Sequence, residues 1–397
     1  MTSTYRIPMS EPDLTDAERS AVAAVLQTSS LSMGIEISRF EETFTRLTRL
    51  KHAIGVNSGT AGLHLCIRAA GINPGDLVIT TPFSFVASTN VLLYENAIPV
   101  FVDIDPLTGN MDVKRMRQVI IDLLKVGKSA MNWLPRSGVK NPGTLKAILP
   151  VDVFGQPADM DPIMDAAKEY GLIVIEDSCE ALGAKYKERP AGSLGNYGVF
   201  AFYPNKQITS GEGGMIVTDD DQAASFMRAL RNQGRAPGDS WLQHSYLGYN
   251  YRLDEMSSAL GRVQMSRLDD LLAKRERVAE WYNQRLSLVA EVELPKIIAT
   301  TTQMSWFVYV IRLIPGINRD QIETTLGVLG IPARRYFNPI HLQPYVMEKF
   351  GYRQGEFPVT EDVSRRSLSL PFSSVMTESQ VETVCEAITE ALKRGKQ

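Results

Sequence analysis

The chain is poor in the residues that build disulfide frameworks and metal cages. It has 3 cysteines in 397 residues, Cys66, Cys179 and Cys385, odd in number and far apart. They form neither a CxxC pair nor a disulfide framework, which fits a reducing cytoplasm. The 4 histidines, His52, His64, His244 and His341, are scattered. A histidine metal cage is therefore not expected, and no metal site is read. No run of about 18 apolar residues occurs, so neither a transmembrane helix nor a membrane partner is expected. The first residues, Met1 to Pro8, lack an apolar core, so no secretory signal is read. An excess of positive charge is also missing. Lys and Arg total 42 against 45 Asp and Glu, a formal charge of −3. Binding along a nucleic-acid backbone needs a basic surface, so nucleic acid is excluded as the main partner. Internal repeats and low-complexity tracts are absent as well.

What remains is an ordinary globular composition. Apolar residues make up 44% and charged residues 22%, enough to bury large cores and to exclude disorder as the main description. The length suits two or three structural units. The first two-thirds alternate short β-rich runs with helical stretches. Strands are expected at 53–56, 77–80, 99–102, 147–151, 173–176, 198–202 and 214–218. Helices are expected at 61–70, 88–94, 111–124, 160–170 and 221–231. Several of the strands are continuous apolar runs, the pattern of strands covered on both faces. This alternation predicts an α/β fold with a mostly parallel sheet flanked by helices.

From Glu255 to Leu288 the pattern becomes one long helix leading to a smaller α+β unit. That unit carries a strand at 307–313 and helices at 320–329 and 378–392. Thr377 followed by Gln380 predicts a capping box at the start of the last helix. The resulting division is a large domain, 1–274, and a small C-terminal domain, 275–397. Residues 125–146, rich in glycine, proline and basic side chains, read as a long surface excursion.

Four segments carry candidate chemistry. In Gly55-Val-Asn-Ser-Gly-Thr-Ala-Gly-Leu-His64 a strand ends and a helix begins. Gly59, Thr60 and Ala61 would present N–H groups at the helix N-terminus, an anion site suited to phosphate. A plain helix cap is the alternative. The segment matches neither GxGxxG nor the P-loop pattern. In Val174-Ile-Glu-Asp177, Asp177 falls where a buried strand stops, at the edge where α/β folds bind ligands. It can hold a protonated ring nitrogen or cap a helix. Phe83 and Phe85 follow another strand, and one ring can stack on a flat cofactor or pack into the core. Lys206, in Tyr203-Pro-Asn-Lys206, lies between an aromatic strand and the glycine-rich turn at Gly211, Gly213 and Gly214. An amine held among apolar groups is disfavoured as an ammonium, which suits a nucleophile. Phosphate cup, stacking ring, acidic partner and amine together are what pyridoxal phosphate requires.

At this point the chain resembles the DegT/StrS-type sugar aminotransferases, and the likeness extends over nearly its whole length. The motifs that carry it are Tyr203-Pro-Asn-Lys206 with Gly211-Glu-Gly-Gly214, Gly192-Ser-Leu-Gly195, Gly248-Tyr-Asn-Tyr-Arg252 and Ser369-Leu-Pro371. Within the family it looks most like the perosamine-type 4-aminotransferases. The resemblance implies a fold type I enzyme with pyridoxal 5'-phosphate as cofactor. Lys206 would form the Schiff base and shuttle protons, and Asp177 would pair with the pyridine nitrogen. Phe85 would stack on the ring, Glu180 would lie near the ring hydroxyl, and Gly59, Thr60 and Ala61 would cradle the phosphate. Asn250 would reach the phosphate site of a neighbouring subunit, which implies a homodimer with shared active sites. His341 and Tyr336, with Arg335 beside them, would lie near substrate. The implied reaction is amination of a nucleotide-linked 4-keto-6-deoxy sugar with glutamate as donor. Alternatives are another keto sugar, a keto-inositol, or a non-catalytic sensor on the same fold; the related dehydratases carry histidine in place of the lysine. Two positions depart from the family pattern: Ala201 stands where many relatives have serine, and Asp152 where histidine is common.

Overall fold

A computed structural model describes residues 7–125, 128–139 and 141–395. Its centre is a sheet of seven strands: β1 (His52–Val56), β2 (Leu77–Thr80), β3 (Ile98–Phe101), β4 (Leu145–Ile148), β5 (Ile173–Asp177), β6 (Tyr197–Ala201) and β7 (Gly214–Thr218). The spatial order is β1-β7-β6-β5-β4-β2-β3. β7 pairs antiparallel with both β1 and β6, and the pairs from β6 through β3 are all parallel. The expected mostly parallel α/β sheet is thus present. Its strands are buried on both faces, which explains their unbroken apolar runs.

Because β7 runs against its neighbours, its beginning lies at the same edge as the C-terminal ends of β1, β5 and β6. The loops after β1, β2, β4, β5 and β6 all open at that edge. A rigid aromatic cluster sits behind it. Phe200 and Phe202 pack on Phe40 and Phe44 with ring centroids 5.2–5.5 Å apart. Such pairs contribute roughly 0.5–1.5 kcal/mol each beyond simple burial. They fix the strand that leads into the Lys206 turn.

The last part of the chain forms a second, antiparallel sheet from Val292–Glu293, Tyr309–Leu313 and Ser367–Leu370, with Tyr309–Leu313 in the middle. Helices Leu268–Leu286, Arg319–Val328 and Glu378–Arg394 flank it over their own core of Tyr282, Tyr309, Ile388 and neighbours. The capping box at Thr377 and Gln380 is present. Helix Leu268–Leu286 runs without a break through position 274.

The single helix expected over Glu255–Leu288 is two helices, Glu255–Ser266 and Leu268–Leu286. Arg267 breaks it, held by Asp13 and Glu18 from the start of the chain. The apolar period continues across the break, so the sequence hides it. Among the described residues of the 125–146 excursion, Arg136 pairs with Glu356 at 2.7 Å and the Ser137 N–H donates to the Phe350 carbonyl at 3.1 Å. None of them lines the cavity described next. No helix among the described residues is long and apolar enough to cross a membrane.

Candidate active site

A cavity of about 650 Å³ opens at the C-terminal edge of the sheet, within the usual range for small-molecule sites. It gathers Gly59, Thr60, Phe85, Asp177, Glu180, Lys206 and Tyr336 from the sequence-derived candidates. Lys206 stands in a tight turn after β6, where its N–H donates to the Tyr203 carbonyl at 2.9 Å. Its Nζ lies 3.7 Å from Glu180 Oε1 and 3.7 Å from the centroid of the Phe307 ring. Only 13% of this side chain is exposed. An amine so enclosed has few rotamers and little competing water.

Asp177 ends β5 with its side chain in the same cavity. Burial pushes its carboxyl up, while hydrogen bonds from Cys179 and the nearby Lys206 pull it down. A cationic partner in the cavity would favour the carboxylate. Burial likewise pushes Glu180 up against the pull of Lys206. Its Oε2 accepts the Phe154 N–H at 2.9 Å, which aims the other oxygen at the amine. The Cys179 thiol is pushed up strongly by burial and then by Asp177, which favours the protonated thiol. Behind these groups Glu176 accepts N–H bonds from Gly192, Leu194 and Gly195 at 2.6–3.2 Å, anchoring the Gly192–Gly195 loop.

The helix Gly59–Ala69 points its N-terminus at the cavity, and its cap Ser58 accepts the Ala61 N–H at 3.0 Å. Two glycines let this loop close in. A Cβ on Gly214 would lie 2.7 Å from the Ser58 carbonyl group, and one on Gly59 would lie 2.8 Å from both Ala201 Cβ and Cys179 Sγ. Glycine is needed here for close backbone approach. Phe85 is 64% exposed, a free aromatic face at the rim. Anion cup, exposed ring, buried carboxylate and enclosed lysine fit pyridoxal phosphate. Among the described residues no cluster suited to a metal ion occurs.

Three candidates lie elsewhere. Ala61 is buried and its N–H is already taken by Ser58. Asn250 is exposed and lies outside the cavity of its own chain, with its carbonyl accepting from Asn57 Nδ2 at 3.3 Å. His341 lies away from the cavity as well. It is fully buried, bonded through Nε2 to Glu361 at 3.0 Å and packed on Phe357 with ring centroids 4.7 Å apart. Burial pulls its imidazole down and it does not reach the cavity. Tyr336 does line it, its phenol pushed up to about 12 by burial and then by Glu180. Arg335 lines it too, but its guanidinium bonds Glu323 at 2.8 Å. Asp152 is fully buried and accepts from the Ser178 hydroxyl at 2.5 Å and the Ala158 N–H at 2.8 Å, a structural role beside Asp177.

Sequence reasoning missed Phe307, Asn338 and Gln343, which reach the cavity from the last third of the chain. The missed Arg275 is 2% exposed and bonds the carbonyls of Lys206 at 2.6 Å and Phe307 at 3.2 Å. No local motif announces any of the four.

Comparison with known proteins agrees with this geometry. The profile of the DegT/DnrJ/EryC1/StrS aminotransferase family matches residues 12–389. GDP-perosamine synthase of Caulobacter vibrioides is 37% identical over 395 residues, 99% of this chain and all of the relative. The spore coat polysaccharide biosynthesis protein SpsC of Bacillus subtilis is 33% identical over 401 residues, 98% of this chain and 97% of the relative. Among solved structures, a DegT DnrJ EryC1 StrS aminotransferase from Brucella abortus superposes with a TM-score of 0.84 at 30% identity, covering 94% of this chain and 95% of that one. The chain belongs to the DegT/DnrJ/EryC1/StrS aminotransferase family and is a sugar aminotransferase dependent on pyridoxal phosphate.

Proposed function

We propose that this enzyme aminates a nucleotide-linked 4-keto-6-deoxy sugar, with glutamate as amino donor, in amino-sugar biosynthesis for a polysaccharide. The observation that carries the reading is the Lys206 amine, enclosed in one cavity with Asp177 and Glu180. The sugar assignment draws on the likeness to GDP-perosamine synthase and on the cavity wall beyond the lysine. There Tyr203, Tyr336, Asn338 and Gln343 offer phenol and amide groups to sugar hydroxyls. A lysine, where the related dehydratases carry histidine, favours transamination.

Pyridoxal phosphate, when bound, supplies an aldehyde for the lysine amine and an electron-withdrawing ring. The helix N-terminus at Gly59 and Thr60 would hold the phosphate by N–H groups and a hydroxyl. Phe85 would cover one face of the ring. The Asp177 carboxylate would keep the ring nitrogen protonated, and Glu180 orients the lysine amine. Lys206 Nζ is the atom placed to hold the donor's α-proton, acting as general base in taking it and as general acid in giving it to the carbon of the cofactor that would bear the amino group. The same atom performs the reverse transfer for the keto sugar.

We also propose a homodimer in which Asn250 enters the partner's phosphate site, with the chain divided into a large domain, 1–274, and a small one, 275–397. The loop bearing Asn250 is exposed and carries exposed Trp241, Leu242 and Leu247, an apolar surface suited to burial against a second copy. The test is a panel of nucleotide-linked 4-keto-6-deoxy sugars, 3-keto isomers and an inositol-derived ketone, each with glutamate. Release of 2-oxoglutarate and a 4-amino sugar with the first class is expected. Turnover confined to the 3-keto or inositol acceptors would overturn the substrate assignment, and turnover with none would favour a sensor.

A further inference from the structure

Arg275 sits in the middle of helix Leu268–Leu286, 2% exposed, in a Lys-Arg-Glu-Arg run that reads as surface charge. Its guanidinium bonds four backbone carbonyls: Lys206 at 2.6 Å, Trp306 at 3.0 Å, Phe307 at 3.2 Å and Asn205 at 3.3 Å. Two of these belong to the turn that carries the lysine amine and two to the segment that carries the ring beside it. No carboxylate bonds this cation among the described residues. Burial pulls it down to about 10, so it stays charged at neutral pH. A buried charge without a counterion is costly to keep unless most of its donors find acceptors. Here four carbonyls on Nη1 and Nη2 and the Phe372 face, 5.6 Å from Cζ, offset that cost, while the buried Nε has no acceptor.

We propose that Arg275 is a positioning residue for Lys206, fixing the lysine turn and the Phe307 ring as one unit so that the amine is parked for condensation. A planar fork with five fixed donors can hold two chain segments at once, whereas a lysine ammonium at the same position cannot span them. With both segments fixed, Phe307 stays 3.7 Å from Nζ, close enough for a cation–π contact and for restricting the rotamers of a flexible four-carbon stem. A stem already restricted loses less freedom when it bonds the aldehyde.

This inference rests on Lys206 being the attachment point, and the experiment separates the two. Cofactor-free wild type, Arg275→Lys and Phe307→Leu are mixed with pyridoxal phosphate, quenched with borohydride at set times, and the modified peptide is found by mass spectrometry. Affinity for pyridoxamine phosphate is measured in parallel, because that vitamer lacks the aldehyde and reports the pocket without the lysine bond. Expected is a trapping rate at Lys206 lower by about ten- to a hundredfold in Arg275→Lys, as for a misplaced reacting group. Phe307→Leu is expected to show a smaller loss of the same sign. Pyridoxamine phosphate affinity is expected to stay within about twofold of wild type, too small to register as a lost contact. If Arg275→Lys does not fold, Phe307→Leu decides alone. Equal weakening of both vitamers would reduce the arginine to a structural clip and overturn the proposal, as would unchanged trapping. Failure to trap wild type at Lys206 would instead overturn the lysine assignment.

Discussion

A tight contact in the phosphate cup gives a quantitative test. Gly59→Ala would place a Cβ 2.8 Å from Ala201 Cβ and 2.8 Å from Cys179 Sγ. Ordinary carbon contacts lie at about 3.5–4.0 Å, so each neighbour must retreat by roughly 0.7–1.2 Å. Neither moves freely: Ala201 Cβ is rigid on β6, and the Cys179 thiol is bonded to Asp177. The displacement therefore goes into the N-terminus of helix Gly59–Ala69 or into the end of β6, and both shape the cup. Overpacking of this kind costs about 1–3 kcal/mol, against a helix-propensity gain of at most about 1 kcal/mol. The assay is thermal unfolding of the cofactor-free protein together with pyridoxamine phosphate affinity. Gly59→Ala is expected to lower both, and Ala201→Gly in the same chain to restore about half of the loss by removing one of two clashing atoms. Gly327→Ala is the control: it sits in helix Arg319–Val328 with nothing within 4 Å of a new Cβ. It should stabilise by about 0.5–1 kcal/mol. A Gly59→Ala protein with wild-type unfolding and wild-type affinity would refute the account of the cup.

Lys206→Ala should lower turnover by at least about 10²–10⁴-fold, the range for losing a general acid–base group; borohydride should fix no cofactor at position 206, and full transamination would contradict the assignment. Equal mixtures of Lys206→Ala and Asn250→Ala chains, unfolded and refolded together, should regain activity if each site draws on two subunits, and activity that stays at the parental level would sink the shared site. Glu18 provides a pH test. Burial raises its carboxyl, but bonds from Thr15, Arg267 and Gln264 outweigh that and lower it from 4.5 to about 2. A folded-state value below the unfolded one gives stability that is complete above about pH 4.5 and lost as pH falls towards 2, here about 3 kcal/mol. Glu18→Gln should therefore unfold more readily at pH 7 and show a flatter decline between pH 4.5 and 2; an unchanged acid profile would show that the carboxylate contributes nothing.

The elements that were legible carry their information locally. Leu77–Thr80 and Gly214–Thr218 are short apolar runs bounded by polar or glycine residues, and they form strands at those residues. Helix Met160–Tyr170 ends at Gly171 in the left-handed region, and helix Asp221–Arg231 starts from Asp220, whose side chain accepts two N–H groups. Both were readable from the residues at their ends. Illegible features depend on distant partners. The break at Arg267 is set by Asp13 and by Glu18, 249 positions away, and no local period records it. Helices Pro344–Phe350 and Pro358–Arg366 are too short for their pattern to outweigh the turn residues around them.

The same division runs through the site. Lys206, Asp177 and Gly59 sit at strand ends, and a parallel sheet sends its strand ends to one edge, so motif and topology agree on where they meet. His341 lies five residues after Tyr336 in the same segment, yet the two side chains part. The turn at Ile340–Leu342, whose first N–H donates to the Pro82 carbonyl at 2.8 Å, carries the imidazole inward to Glu361 instead. Arg275 fails in the opposite direction. Its neighbour Lys274 pairs with Asp13 and Asp270 at 2.8 Å, as a helix-surface charge should, and Arg277 lies over Trp281. A one-residue step around the helix turns the same kind of side chain from such pairing to a buried post between two strands of chemistry. What distinguishes them is the set of carbonyls facing position 275, and those belong to residues 30 to 70 positions away in sequence. Residues that touch the reacting atoms announce themselves by type and local setting, whereas a residue that holds them in place becomes visible only once the chain has folded around it.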